Sequence, residues 1–347
     1  MINELTNHEF GSLIENEYSD LAQQYLKFFN KSSLSASYLL NGPPGIGKKY
    51  LAKLFAKLML CDSYQMNCTC QFCFNINNET HSDVLHFDTD SNCDLNDANH
   101  RNHQSDGSRS IKICQIKRLN RISMLSPTIA KYKIFIVNNL NMLTTEAANA
   151  LLKTLEDAPK STVFLLVAND INNVLDTVKS RCQIIEISPL NFQKIQNVLS
   201  KKFEISDNDA SDFAILSRSR INNANELINN KENTDSINKI FFDLEHILRA
   251  TTIDRINFAE NLNGIYRSEP PLFYLTMNCW EDWFRWHLYS INNINIAPSF
   301  FNEINSFSFD NIVDNLKNIQ NVREQLAHNV NSLVSLQVLL LSLKGYN

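Results

Sequence analysis

Asn41-Gly42-Pro43-Pro44-Gly45-Ile46-Gly47-Lys48-Lys49 is the stretch on which the fold turns. A short apolar run, Ser37–Leu40, precedes it, and Tyr50–Leu60 follows with apolar residues at helical spacing. Strand, glycine-rich turn and helix in that order fit the phosphate-loop pattern G-x-x-x-x-G-K. Gly42, Gly45 and Gly47 let the backbone wrap a phosphate, with N–H groups inward and the next helix's N-terminus adding partial positive charge. Lys48 is placed to meet the β- and γ-phosphates of a nucleotide. Lys49 breaks the pattern. A Ser or Thr hydroxyl there holds Mg2+, whereas an ammonium only donates and repels the cation. Two readings of the loop stand: a relic element of the fold, or a nucleotide site without turnover.

Further along, Lys133-Ile134-Phe135-Ile136-Val137 is an apolar strand that ends on Asn138-Asn139. A Walker B strand carries acids there, one steadying Mg2+ and the next orienting the attacking water. Amides are neutral, bind Mg2+ poorly and accept no proton. Lys49, Asn138 and Asn139 therefore depart together, and three departures in one site predict lost hydrolysis.

Val84–Phe87, Val163–Val167 and Ile184–Ile187 read as further strands, alternating with helical patterns at Ile111–Ser123 and Thr144–Leu155. That alternation predicts a parallel sheet with helices on both faces. The polar stretch Asp88–Ser110, with Cys93, His100 and His103, reads as a surface loop. Beyond Pro189 the β pattern stops. Phe192–Phe203 and Asp209–Asn229 read as short helices, and from Asp235 longer ones follow at 237–251, 253–263, 272–291, 309–330 and 332–343. The expected domains are 1–189, 190–233 and 234–347. Trp280, Trp283 and Trp286 fall near one helical stripe, as either core or subunit interface.

Cys61, Cys68, Cys70 and Cys73 crowd four of the eight cysteines into thirteen residues. Such crowding favours metal over disulfides in a reducing compartment. Four thiolates suit a closed, structural tetrahedral Zn2+ site, with His81 and His86 nearby but redundant.

The net charge of −5 gives no general basic excess for nucleic acid, so DNA contact is expected to be local or shared with partners. No apolar run reaches the ~18 residues of a membrane span. The first ten residues lack the basic-then-apolar pattern of a secretory signal. The expected location is cytoplasmic.

Leu143-Thr144-Thr145-Glu146-Ala147-Ala148-Asn149-Ala150-Leu151-Leu152-Lys153-Thr154-Leu155-Glu156-Asp157-Ala158-Pro159, together with Ser180-Arg181-Cys182 and the cysteine cluster, resembles the bacterial clamp-loader AAA+ subunits of DNA polymerase III, and among them the delta-prime kind. The likeness is dense over about residues 36–190. Its spacing departs at one point, a C-x-C step where the family has C-x2-C. The resemblance implies an α/β P-loop AAA+ module bearing a zinc-binding insertion, a small helical lid and an all-α collar domain. It implies gamma/tau and delta subunits as partners in a hetero-pentamer that loads the sliding clamp on primer-template DNA. It makes Asn169 the sensor-1 position and Asn222 the sensor-2 position, where active subunits usually carry Arg. Arg181 is implied as an arginine finger reaching a neighbour's ATP site; taken alone it would read as a salt-bridged surface Arg. Delta-prime subunits do not hydrolyse ATP. Two alternatives remain: an active gamma/tau-type ATPase, and a zinc-dependent nucleic-acid-binding adaptor.

Overall fold

The computed structural model describes residues 36–61, 68, 70–93, 110–294, 296–301, 307–327 and 330–345. Most of the polar stretch after Asp88, with His100 and His103, lies outside the described residues.

The chain divides into two compact units. The first runs to Ala210 and takes in Arg218–Asn223; the second holds Ser211–Ser217 and the chain from Ala224 onward. In the first, β1 (Ser37–Asn41) leads through the glycine loop to α1 (Lys48–Leu60). Then come α2 (Gln71–Asn77), β2 (Val84–Phe87), α3 (Ile113–Ser123), β3 (Lys133–Val137), α4 (Thr145–Asp157), β4 (Thr162–Ala168), α5 (Asp176–Lys179), β5 (Gln183–Glu186) and α6 (Phe192–Phe203). The strands form one parallel sheet in the order β2-β3-β4-β1-β5.

Every residue of β1, β3 and β4 is buried, so these strands lack polar alternation and require cover on both faces. On one face Leu39, Phe135, Phe164 and Leu166 pack with Leu119 of α3 and Leu151 of α4. On the other, α1 packs against β1, β3 and β4, burying Leu51, Leu54 and Phe55. The expected parallel sheet with two helical layers is therefore present. Two short helices had no apolar period long enough to reveal them. One of these, α2, is capped by the sulfur of Cys70, which accepts from the Cys73 amide. The turn before β3 is held by Asp83, which is fully buried and accepts from the amides of Thr128, Ile129 and Ala130.

α7 (Asp207–Leu216) and α8 (Ile221–Asn229) each contribute residues to both units. The second unit is otherwise α9 (Lys231–Arg249), α10 (Thr252–Ser268), α11 (Pro270–Ile291), α12 (Phe309–Ala327) and α13 (Ser332–Ser342). Trp280, Trp283 and Trp286 are at most 4% exposed, which makes the stripe core. Arg255 donates to the carbonyls of Leu248, Leu340 and Leu343, joining the C-terminal ends of α9 and α13 through one guanidinium.

His287 sits among these aromatics, 4.1 Å from the Trp283 ring and 4.6 Å from that of Phe301. Burial pushes its pKa down to about 4. The unfolded chain binds this proton below about pH 6.5 and the native one only near pH 4, so stability falls as pH drops through that window. The expected loss is on the order of 3 kcal/mol. Chemical denaturation followed by tryptophan fluorescence at pH 7 and pH 4.5 measures it, because all three tryptophans report on this unit. An equal pH slope in His287→Leu would exclude His287 as its source.

Candidate functional site

Parallel strands bring their C-terminal ends to one edge of the sheet, and the phosphate loop forms there after β1. Gly42 passes so close to β5's exit that a Cβ would lie 2.3 Å from the Ile187 carbonyl oxygen. Gly45 takes a left-handed φ of 82°, and a Cβ there would approach Asn223 Oδ1 to 2.7 Å. These positions admit only glycine without a shift of backbone or neighbour. Gly47, also left-handed, caps α1. Lys48 folds back on its own loop, its Nζ donating to Gly42 O at 2.5 Å and Pro43 O at 2.6 Å. Burial, with the positive charge of Arg220 adding to it, pulls its ammonium down to about 8.

Lys49 takes another direction. Its Nζ pairs with Glu79 Oε1 at 2.9 Å, and Lys53 meets the same oxygen at 2.8 Å. Burial alone would raise the Glu79 carboxyl. Hydrogen bonds from Lys53 and Lys49, with the charges of His86 and Lys53, outweigh it and hold Glu79 at about 2.

The amides stand where β3 ends. Asn138 is buried, and its Oδ1 has no hydrogen-bond partner among the described residues. Asn139 turns left-handed at φ 51° and donates from Nδ2 to Asp88 Oδ1 at 2.8 Å. Asp88, just past β2, also accepts from the Thr89 amide, so the nearby carboxylate is engaged by backbone and amide. The turn carrying Asp88 is strapped to α3 by Gln115, whose Nε2 donates to the carbonyls of Asp88, Thr89 and Ser91. Asn169 follows β4, its backbone N–H donating to Asn141 Oδ1 at 2.6 Å. Asn222 reaches the loop directly: its N–H donates to Gly45 O at 3.0 Å, while its Oδ1 is buried without a hydrogen-bond partner among the described residues.

The structure thus brings Gly42, Gly45, Gly47, Lys48 and Asn222 together. Reading by position missed Arg220 and Asn223. They are delivered by two consecutive left-handed residues, Arg218 at φ 53° and Ser219 at φ 56°, which no glycine announces. Glu79, Asp88 and Asn141 were missed for a similar reason, since each matters only through a partner far along the chain.

Arg181 lies elsewhere. It precedes β5, at the end of the sheet opposite the phosphate loop. Its Nε donates to Glu156 Oε1 at 2.7 Å and its Nη2 pairs with the same oxygen. Its Nη1 donates to Thr177 O at 2.8 Å and Ser180 Oγ at 3.4 Å. The neighbouring Cys182 is half-buried, and burial pushes its thiol up to about 12, so it is no nucleophile at neutral pH.

The four sulfurs of Cys61, Cys68, Cys70 and Cys73 lie within 4.8 Å of one another. Cys61 is 3.8 Å from both Cys68 and Cys70. Tetrahedral Zn2+ with bonds of about 2.3 Å needs sulfurs about 3.8 Å apart, so the donor set fits the metal. The C-x-C step is accommodated because Cys70 caps α2 and Cys73 lies one turn on. Cys61 itself ends α1. His81 is buried and accepts from the Asp83 amide, and His86 lies in β2; neither belongs to the thiol cluster.

A family described as DNA polymerase III, delta subunit matches residues 18–191, half of the 347. The chain belongs to that family. It is the family of bacterial clamp-loader AAA+ subunits, as the motif resemblance implied, and the parallel sheet with its phosphate loop is the corresponding AAA+ core. The delta' subunit of Bacillus subtilis DNA polymerase III is 30% identical over 230 residues, 65% of this chain and 64% of that one. The tau subunit of the same organism is also 30% identical, over 174 residues, 49% of this chain and 28% of that one. The chain thus spans less than two thirds of either relative. A DNA polymerase III gamma subunit-related protein from Thermotoga maritima, a solved structure, aligns over 93% of this chain and 98% of its own at 15% identity, with a TM-score of 0.44. Among the described residues no helix is long and apolar enough to cross a membrane.

Proposed function

We propose that this clamp-loader family member is of the delta-prime kind, a non-hydrolysing subunit that presents Arg181 to a neighbouring ATPase. The observation that carries this reading is the chemistry around the phosphate loop. Lys49 stands at the Mg2+ position and is paired with Glu79. Asn138 and Asn139 stand at the acid positions, and Asn139 is bonded to the carboxylate of Asp88. Without a cation ligand or a water-activating acid, bound nucleotide has no route to hydrolysis. The place of Arg181 supports the second half: at the far end of the sheet from its own loop, it can act only on another molecule's nucleotide.

In this reading residues 190–233 are the lid and 234–347 the collar. The partners are gamma/tau and delta subunits in a hetero-pentamer, working in the cytoplasmic replisome, and the complex loads the sliding clamp on primer-template DNA. Zn2+ on the four thiolates pins α2 to the end of α1. An active gamma/tau-type subunit is the second reading, favoured by the tau relative's equal identity.

The purified chain alone is expected to turn over no ATP above the rate without protein, with Mg2+ present. Adding gamma/tau and delta subunits is expected to restore a DNA-stimulated ATPase that the set lacking this chain does not reach. Steady hydrolysis by the isolated chain would instead establish the active-subunit reading.

A further inference from the structure

Glu156 has no role in the reading above, yet it makes the shortest contacts that Arg181 has. We propose that Glu156 is a positioning residue for Arg181: it anchors the guanidinium by one edge so that the opposite tip is aimed at a neighbour's nucleotide. This rests on Arg181 acting in trans.

A guanidinium offers five N–H groups in a planar fork. Here the edge formed by Nε and Nη2 is taken by Glu156 Oε1. Nη1, on the other side of the fork, donates to neutral acceptors of its own chain, Thr177 O and Ser180 Oγ. All these bonds start from a charged donor, but only Glu156 adds a full opposite charge, so its bonds are the stronger ones. When a polyphosphate arrives, the Thr177 and Ser180 contacts are therefore the ones that exchange, and the carboxylate edge stays. The backbone beneath this anchor is fixed, because Glu156 lies in the last turn of α4, whose Leu151 and Leu155 are in the sheet's core. The pairing crosses 25 residues of sequence, so the fold and not local geometry provides it. An anchored arginine loses less rotational freedom on meeting phosphate than one swinging in solvent, and that difference reaches the transition state, where the contact is strongest.

The test uses the assembled complex carrying Glu156→Ala, Glu156→Gln, Arg181→Ala or the double variant. Glu156→Ala is expected to lower kcat roughly tenfold, with KM for ATP within about twofold, because the finger acts on the transition state more than on bound ATP. Glu156→Gln keeps an acceptor oxygen and is expected to recover most of the rate. The double variant is expected to match Arg181→Ala alone, since an anchor has nothing to position once the finger is gone. A further slowing by Glu156→Ala in the Arg181→Ala background would overturn the positioning role in favour of a structural one. An unchanged or faster Glu156→Ala complex, with Arg181→Ala slow, would sink this proposal and leave the finger intact. An unchanged Arg181→Ala complex would instead remove the finger itself.

Discussion

Replacing Arg181 by Ala is expected to slow ATP turnover at the adjoining site of the assembled complex by about a thousandfold, the lower end of what arginine fingers contribute in other NTPases. The magnitude follows from charge. As the γ-phosphoryl leaves, negative charge grows on its oxygens in a site from which water is largely excluded, and a guanidinium there has no substitute of equal strength. In the proposed reading this chain supplies that group without catalysis of its own; Arg181 and the phosphate loop lie at opposite ends of the same sheet. The fold itself should be indifferent. Arg181 is exposed and so is Glu156, and exposed ion pairs are worth about 0–1 kcal/mol. Thermal melting of the variant should therefore overlay that of the wild type while single-turnover hydrolysis by the complex drops. Because the proposed complex holds other ATPase sites that this substitution leaves untouched, the single-turnover measurement at limiting ATP is the informative one. A rate unchanged within twofold, in a complex of normal composition, would refute the finger.

The second large effect concerns the thiol cluster. Purified chain is expected to hold about one zinc, and Cys73→Ser to hold close to none. Cys73 is the fully buried member, seated in the first turn of α2, and burial raises its thiol well above the usual range. Cys70 is held at about 7, first by the Cys73 amide. Two neighbouring thiols with such different preferences do not ionise together unaided; a divalent cation makes four thiolates compatible. Structural zinc contributes about 10–16 kcal/mol of apparent binding energy at neutral pH in small domains, which is folding energy wherever the site is absent from the unfolded chain. Chelation should accordingly lower the melting temperature and expose Cys73 to thiol reagents. Lys53 bonded to Asn77 and the Glu79 pairs should keep α2 near α1 even then, so a partial loss of helix is expected. Metal analysis finding no zinc, with melting unaltered by chelator, would contradict the site.

Much of this molecule was legible in one dimension. The glycine spacing, the unbroken apolar runs of β1, β3 and β4, and the residue types at 49, 138 and 139 are local facts. Backbone sterics and the need to bury apolar surface turn them into a phosphate loop on a parallel sheet, with amides at the end of β3. The cysteine spacing likewise identified a four-sulfur donor set, since residues so near in sequence stay near in space.

Where the substituted side chains go was not legible, because that depends on the crossovers that set β4 between β3 and β1 and lay α2 along α1. Only the assembled fold pairs Lys49 with Glu79, Asn139 with Asp88 and Arg181 with Glu156. Likewise, two left-handed residues bring Arg220 beside Lys48, a conformation that nothing in their side chains requires. The tryptophan stripe was ambiguous by itself, as core and interface choose the same residues. Packing decided for core, because α11 is covered by neighbours contributed from distant parts of the chain. By itself, then, the sequence determined which residue types stand at positions 49, 138 and 139, since residue type is local. Tertiary structure alone decided what those side chains hold, since each ion pair and amide contact needs a partner that long-range packing must deliver.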